Sequence, residues 1–164
     1  MIMASVEILK DGAEGIIICI GSDVASWALT VKNSKAIYHY NWFNIEKTDI
    51  VSDQPIPTGK VELKVDFINE GKTPGGPASV TLYVNGKKAA AGKIKRQVPQ
   101  RFGVECLDIG QDSLSPVSAS YEHKLPFKFT GTIEKVTLDL KPGDQAAYEK
   151  EKSDADRAVA AATQ

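Results

Sequence analysis

Few residues in this chain are of the types that make or break bonds, and their spacing decides what they can do. Glu105-Cys106-Leu107-Asp108 sets two carboxylates three positions apart. A retaining glycosidase needs its pair on one face, about 5–5.5 Å apart. Side chains alternate along a strand, so an odd offset sends Glu105 and Asp108 to opposite faces. Asp108-Ile109-Gly110-Gln111-Asp112 spaces two carboxylates around a glycine, as some calcium loops do. An EF-hand counted from Asp108 needs an acid at its twelfth position, where Ala119 stands. Two readings stay open: a weaker site completed by backbone carbonyls, or a turn network in which these side chains bond the local backbone. His39 and His123 are the only histidines, and neither carries the cysteine or carboxylate pattern of a zinc site or a catalytic triad. Gly71-Lys72-Thr73 is no phosphate loop, because Asp66 stands where the first glycine is needed and Pro74 blocks a following helix.

Cys19 and Cys106 sit in apolar, strand-like runs and read as buried free thiols, with a disulfide as the alternative. Two thiols without a CxxC do not make a metal site. Trp27, Tyr38, Tyr40, Trp42 and Phe43 have the chemistry to stack on sugar rings, yet aromatic residues on strands commonly fill a core. A cofactor is not called for by any of these patterns.

The elements that position these residues come from the rest of the 164-residue chain, whose length suits one well-buried core. Apolar residues make up 42% and charged residues 25%, the balance of a soluble globular protein. A net charge of -1 lacks the basic excess of a nucleic-acid surface. The one basic concentration, Lys93 to Arg101, reads as a solvated strand end, with an anion or partner contact as the alternative. The longest apolar run, Ile16 to Ile20, is far short of a membrane span. The start, MIMASVEILKDG, has no basic leader or small-residue cleavage site, so the expectation is a cytoplasmic protein as written.

Alternation predicts strands almost throughout. Val80, Leu82 and Val84 alternate with Ser79, Thr81 and Tyr83, and Asn85-Gly86 then suits a type I′ turn into a returning strand, Lys87 to Lys95. Val61, Leu63, Val65 and Phe67 point inward from the cleanest strand, with Lys60, Glu62, Lys64 and Asp66 outward. Gly15 to Gly21 reads as a central strand buried on both faces. The run from Ala36 to Trp42 offers Ile37 and His39 on one face and Tyr38, Tyr40 and Trp42 on the other. Further strands are expected at Val6–Ile8, Trp27–Val31, Phe43–Val51, Arg101–Ile109 and Thr130–Leu140. Within the last, Ile133 is out of phase with Val136 and Leu138, which one β-bulge reconciles. Gln111 to Phe127 is the longest irregular stretch. The expected fold is all-β: a two-layer antiparallel sandwich of jelly-roll type over residues 1–141, followed by a C-terminal helical tail over 142–164. In that tail Tyr148, Ala155, Val159 and Ala162 make a thin apolar stripe behind an Asp144 cap, which reads either as a marginal helix docked by Tyr148 or as a frayed tail.

Several segments, in order, resemble the C-terminal domain of bacterial arylsulfatases. They are Trp27-Ala28-Leu29-Thr30-Val31 with Tyr38-His39-Tyr40-Asn41, Ser52 to Lys60, Gly75-Gly76, Val80 to Lys88, Val98-Pro99 and Arg101-Phe102. Asp108 to Val117 and Phe129 to Val136 complete the set. Together they span roughly Ser5 to Lys141. The resemblance implies a concanavalin A-like, laminin-G-like sandwich that serves a separate catalytic domain. It brings no catalysis, because the Cys/Ser-x-Pro-x-Arg motif of sulfatases is not in the sequence. Ala25-Ser26 and Gly103 to Leu107 depart from the family pattern. The function expected is a non-catalytic accessory module that packs against a protein partner, such as a sulfatase-type catalytic chain. Its interaction loop would be Gln111 to Tyr121, with Asp108, Gly110, Asp112 and Ser115 as candidate residues. The alternative is a lectin-like module that binds sugar or sulfated glycan through Trp27, Tyr38, Tyr40 and Trp42.

Overall fold

Period-two alternation does organise the chain. The computed structural model describes residues 1–71, 75–99, 105–141, 149, 150, 153 and 157. Ten strands occur among the described residues: β1 (Ile2–Ile8), β2 (Gly15–Gly21), β3 (Ser26–Lys32), β4 (Lys35–Trp42), β5 (Glu46–Val51), β6 (Gly59–Asn69), β7 (Ala78–Val84), β8 (Lys87–Ile94), β9 (Leu107–Ile109) and β10 (Thr132–Leu138). They form two antiparallel sheets of five, ordered β10-β1-β6-β7-β8 and β5-β4-β3-β2-β9. The protein is an all-β sandwich.

Local chemistry sets the registers. Asn85 and Gly86 take φ of 50° and 73°, the left-handed pair that turns β7 into β8. Asn33 and Ser34 do the same between β3 and β4, at 50° and 59°. The expected bulge lies in β10: Ser5 of β1 faces Lys135 and Val6 faces Ile133, so Glu134 is the extra residue. Ile133 and Val136 thereby both turn toward the interior, where they pack on the core.

The main core lies between the sheets. Val6, Leu63, Val65, Val80 and Leu82 of one sheet meet Ile17, Ile18, Leu29, Val31 and Tyr38 of the other, all buried. A fully buried Leu or Ile contributes about 1.5–3 kcal/mol by leaving water, so this interior dominates stability. The sheet containing β2 is buried on its outer face too. There Ile16, Cys19 and Ala28 meet Val117, Tyr121 and Phe127, which come from the irregular stretch before β10. The β2–β3 register slips at Ile17, so Ile17 and Ile18 both face the main core while Ile16 and Cys19 face outward. This double burial is why the run is isoleucine-rich and does not alternate.

One side of the sandwich is closed by its edge strands. The Asp53 N–H donates to the Ala89 carbonyl at 2.8 Å, and Lys95 pairs with Glu46 at 3.3 Å. Gly92 of β8 lies against the Ile50 side chain of β5, leaving no room for a Cβ.

Some expectations need correcting. Phe43 is not in a strand: Phe43 and Asn44 turn the chain with φ of 49° and 56°, and β5 starts at Glu46. Cys106 is exposed, because it precedes a strand only three residues long. Of the strand expected from Arg101 to Ile109, residues 107–109 are extended, and 100–104 lie outside the described residues. Most of the expected tail helix, including Tyr148, Ala155, Val159 and Ala162, also lies outside them. Glu149, Lys150, Ser153 and Arg157 are helical and exposed. No helix among the described residues is long and apolar enough to cross a membrane.

Candidate functional site

The segment that covers the outer face of β2 and β3 is held by one buried carboxylate. Asp112 is 2% exposed, and its Oδ2 accepts from the Val117 N–H at 2.9 Å and the Tyr121 hydroxyl at 2.6 Å. Its backbone exchanges hydrogen bonds with Phe127, the Phe127 N–H donating at 3.1 Å and the Asp112 N–H at 3.4 Å. Tyr121 stacks on Phe127 with ring centroids 4.3 Å apart. Burial pushes the Asp112 carboxyl above the ordinary aspartate range, more strongly than its two hydrogen bonds hold it down. The nearby charges of Glu105 and Asp108 add to the rise.

Around this anchor the loop is tied at each turn. Gly110 has φ of +82°, which lets its N–H reach the Ile17 carbonyl at 3.1 Å while its own carbonyl accepts from Phe129 at 2.8 Å. The Ser115 N–H donates to the Glu105 carboxylate at 3.4 Å. Ser26 of β3 donates its hydroxyl to the Val117 carbonyl at 3.3 Å. Ser118 caps the short 3-10 helix Ala119–Lys124 by accepting from the Ser120 N–H at 3.3 Å. The ammonium of Lys32 donates to the Ser120 carbonyl. Asp108 is half-buried and pairs in register with Cys19, on the outer face of β9.

Three of the four candidate loop residues, Gly110, Asp112 and Ser115, thus join one hydrogen-bonded structure, with Asp108 at its base. The Asp112 side chain bonds the backbone of its own loop through the Val117 N–H. Among the described residues no group of three or more His, Cys, Asp or Glu is placed to hold a metal ion. The contributions of Tyr121, Val117 and Ser26 were not legible in the sequence, since each reaches Asp112 or its loop across an irregular path. What the loop offers to solvent is Leu114, 73% exposed.

The same loop roofs Cys19. Burial, then the charges of Asp112, Asp108 and Glu105, push its thiol up to about 12. Cys106 is exposed, and both cysteines are free. In the native protein a thiol reagent should therefore modify Cys106 quickly and Cys19 only on unfolding. Counting released chromophore against time tests this. Two equally fast thiols would mean that the loop does not cover β2.

The aromatic group is divided between buried tyrosines and half-buried tryptophans. Tyr38 and Tyr40 are 2% and 7% exposed, and Trp27 and Trp42 pack against the main core. Trp27 alternates onto the face of Leu29 and Val31, and Tyr38, Tyr40 and Trp42 share the corresponding face of β4, the side that meets the main core. Trp27 stacks on Tyr38, Tyr38 meets the edge of Phe67, and the Tyr40 hydroxyl accepts from the Val98 N–H at 2.8 Å. The Arg96 guanidinium lies over the Trp42 ring, 4.7 Å from its centroid.

His39 is buried and paired across the β4–β5 register. Register sets it opposite Asp49, and its Nδ1 is hydrogen-bonded to that carboxylate. Its Nε2 is buried, with no hydrogen-bond partner among the described residues. No hydroxyl or thiol donates to it there, as a nucleophile served by such a base would. Asp49 also borders a polar groove of about 530 Å³ between β5 and β8, lined by Thr48, Asp53, Lys88 and Gly92.

No family model matches the chain, and no curated protein is significantly similar to it.

Proposed function

We propose that this protein is a non-catalytic interaction module that packs against a protein partner through the 111–121 loop. The observation that carries the reading is the contrast within that loop. Its base is pinned by Asp112, while Leu114 stands 73% exposed at its surface. An apolar side chain on a pre-ordered loop binds without a large ordering cost, which suits a docking contact. The resemblance to the arylsulfatase C-terminal domain supports the same role, with a sulfatase-type catalytic chain as the partner. The alternative, a glycan-binding face, has less behind it because Tyr38 and Tyr40 are buried and only Trp27 and Trp42 keep part of their surface in solvent.

Binding of the purified chain to a sulfatase-type catalytic chain, measured by calorimetry, tests the proposal. Leu114→Asp should weaken the complex at least ~10-fold, and the same change at Ile68, exposed on the other sheet, should not. A complex indifferent to Leu114→Asp would refute the loop assignment. Retention on a glycan array that is lost on Trp42→Ala would refute the proposal in favour of the lectin-like reading.

A further inference from the structure

The edge strand β8 is an unusual sequence for a strand. Between Lys88 and Lys93 it reads Ala-Ala-Ala-Gly, residue types with little strand preference. Gly92 must be small because Ile50 lies against it. Ala90 and Ala91 leave room on the β8 side of the groove, whose volume of about 530 Å³ is in the range of small-molecule sites. Four polar side chains line it: Thr48 and Asp49 of β5, Asp53 just beyond, and Lys88 of β8. The Thr48 hydroxyl, the Asp53 carboxylate and the Lys88 ammonium have no hydrogen-bond or ion-pair partner among the described residues.

Asp49 differs, because one of its oxygens is held from inside the protein. His39 is 3% exposed, and its Nδ1 bonds Oδ1 of Asp49, whose side chain is half exposed. The other ring nitrogen, Nε2, is buried without a partner among the described residues. An apolar side chain in that place would leave no polar atom unmatched, so burial alone does not account for a histidine. What the imidazole does there is fix a carboxylate at the border of the groove. Oδ2 of Asp49 has no partner among the described residues and is left to face a ligand.

The charges lining the groove narrow the ligand class. Two carboxylates and one ammonium oppose a simple anion, and a plain diamine would meet Lys88. A molecule with two cationic ends and one carboxylate matches all three. Asp49 and Asp53 are at most about 13 Å apart along an extended chain, a span that an extended arginine with a hydrogen bond at each end can bridge. Its methylene stem would lie against Val51, Ala90 and Ala91.

We propose that the β5–β8 groove binds a free basic α-amino acid of the arginine type. Asp49 and Asp53 hold its two cationic ends, Lys88 holds its carboxylate, and His39 is the positioning residue for Asp49. No residue of the 111–121 loop lines the groove, so this site does not rest on the docking role. The test adds L-arginine to full-length protein carrying ¹⁵N-labelled histidine. The ring nitrogens of His39 should shift saturably, while those of His123, exposed beside Glu122, should not. By calorimetry, Asp49→Asn should weaken binding at least ~10-fold, and both this side chain and Lys88 are exposed enough for their variants to fold. Lys88→Ala should weaken L-arginine similarly but leave agmatine, which lacks the carboxylate, bound as well or better. No saturable shift at His39 up to about 10 mM L-arginine would overturn the proposal. So would equal shifts at His39 and His123, binding indifferent to Asp49→Asn, or equal losses for L-arginine and agmatine on Lys88→Ala.

Discussion

Replacing Asp112 by alanine should cost about 2–4 kcal/mol, while replacing it by asparagine should cost within about 1 kcal/mol at neutral pH. The reason is that both donors converge on one oxygen. The Val117 N–H and the Tyr121 hydroxyl both reach Oδ2. Alanine leaves both donors buried and unpaired, and an unmet buried polar group carries its full desolvation cost. An asparagine carbonyl can take the place of Oδ2 and keep both bonds, without the buried charge. The pH dependence follows from the direction of the Asp112 shift. A carboxyl raised in the folded state contributes most to stability below its ordinary range, and that contribution is lost as pH rises through the raised value. The asparagine variant therefore compares best with wild type at neutral pH. The comparison should move in favour of wild type as pH falls into and below the aspartate range. Thermal unfolding of the three proteins across that range reads both effects. Equal losses for alanine and asparagine would show that the loop needs the charge itself, and would reopen a cation site at Asp108 and Asp112.

The same residue shows where sequence reading succeeds and where it stops. Alternation along β6 and the Asn85-Gly86 turn depend on neighbouring residues, so they were legible. The bulge in β10 was legible because Ile133 breaks phase with Val136. Asp112 could be read as a turn residue, but its hold on Tyr121 depends on a path through the irregular stretch that no periodicity encodes. The β4 residues mark a second limit. Tyr38 and Tyr40 share one face and His39 and Asn41 the other, and both faces are buried. Alternation sorts them into two sets without saying which set faces the second sheet. On β2 and β3 the outer face becomes a second interior under the covering loop, whose tyrosine and phenylalanine lie far along the chain, while on β4 His39 meets Asp49 and Asn41 meets Asp23 and Asn44. The His39–Asp49 pair needed the β4–β5 register, which the Phe43-Asn44 turn sets by two left-handed residues that are not glycine.

The loop in turn depends on a close approach of two backbones at Gly15, and alanine there should lower stability by about 3–5 kcal/mol. Gly15 opens β2 with φ of +126°, and a Cβ built on it would meet the Lys128 carbonyl oxygen and the Phe129 Cα far inside van der Waals contact. These are main-chain atoms, so no side-chain rotation relieves the collision. The approach is fixed on both sides of the glycine, on the far side by the Ile16 N–H donating to the Phe127 carbonyl at 3.5 Å. The Thr130 N–H donates to the Glu14 carbonyl at 2.8 Å, and the Glu14 N–H donates to the Thr130 hydroxyl at 2.9 Å. Phe129, carried by the displaced segment, belongs to the main core, while its neighbour Phe127 belongs to the smaller one under the loop. One methyl group would thus loosen both. Gly12 supplies the control, since it has φ of +91° but nothing within 4 Å of its would-be Cβ. Gly12→Ala should cost only the left-handed strain, about 1–2 kcal/mol. For a chain of this size the difference corresponds to a further fall in Tm of roughly 5–10 °C for Gly15→Ala. That variant should also expose Cys19 to thiol reagents, which the Gly12 variant should not. Equal Tm values for the two would mean that residues 127–130 can move away from β2 at little cost. The loop that presents Leu114 would then not be held rigid from this side.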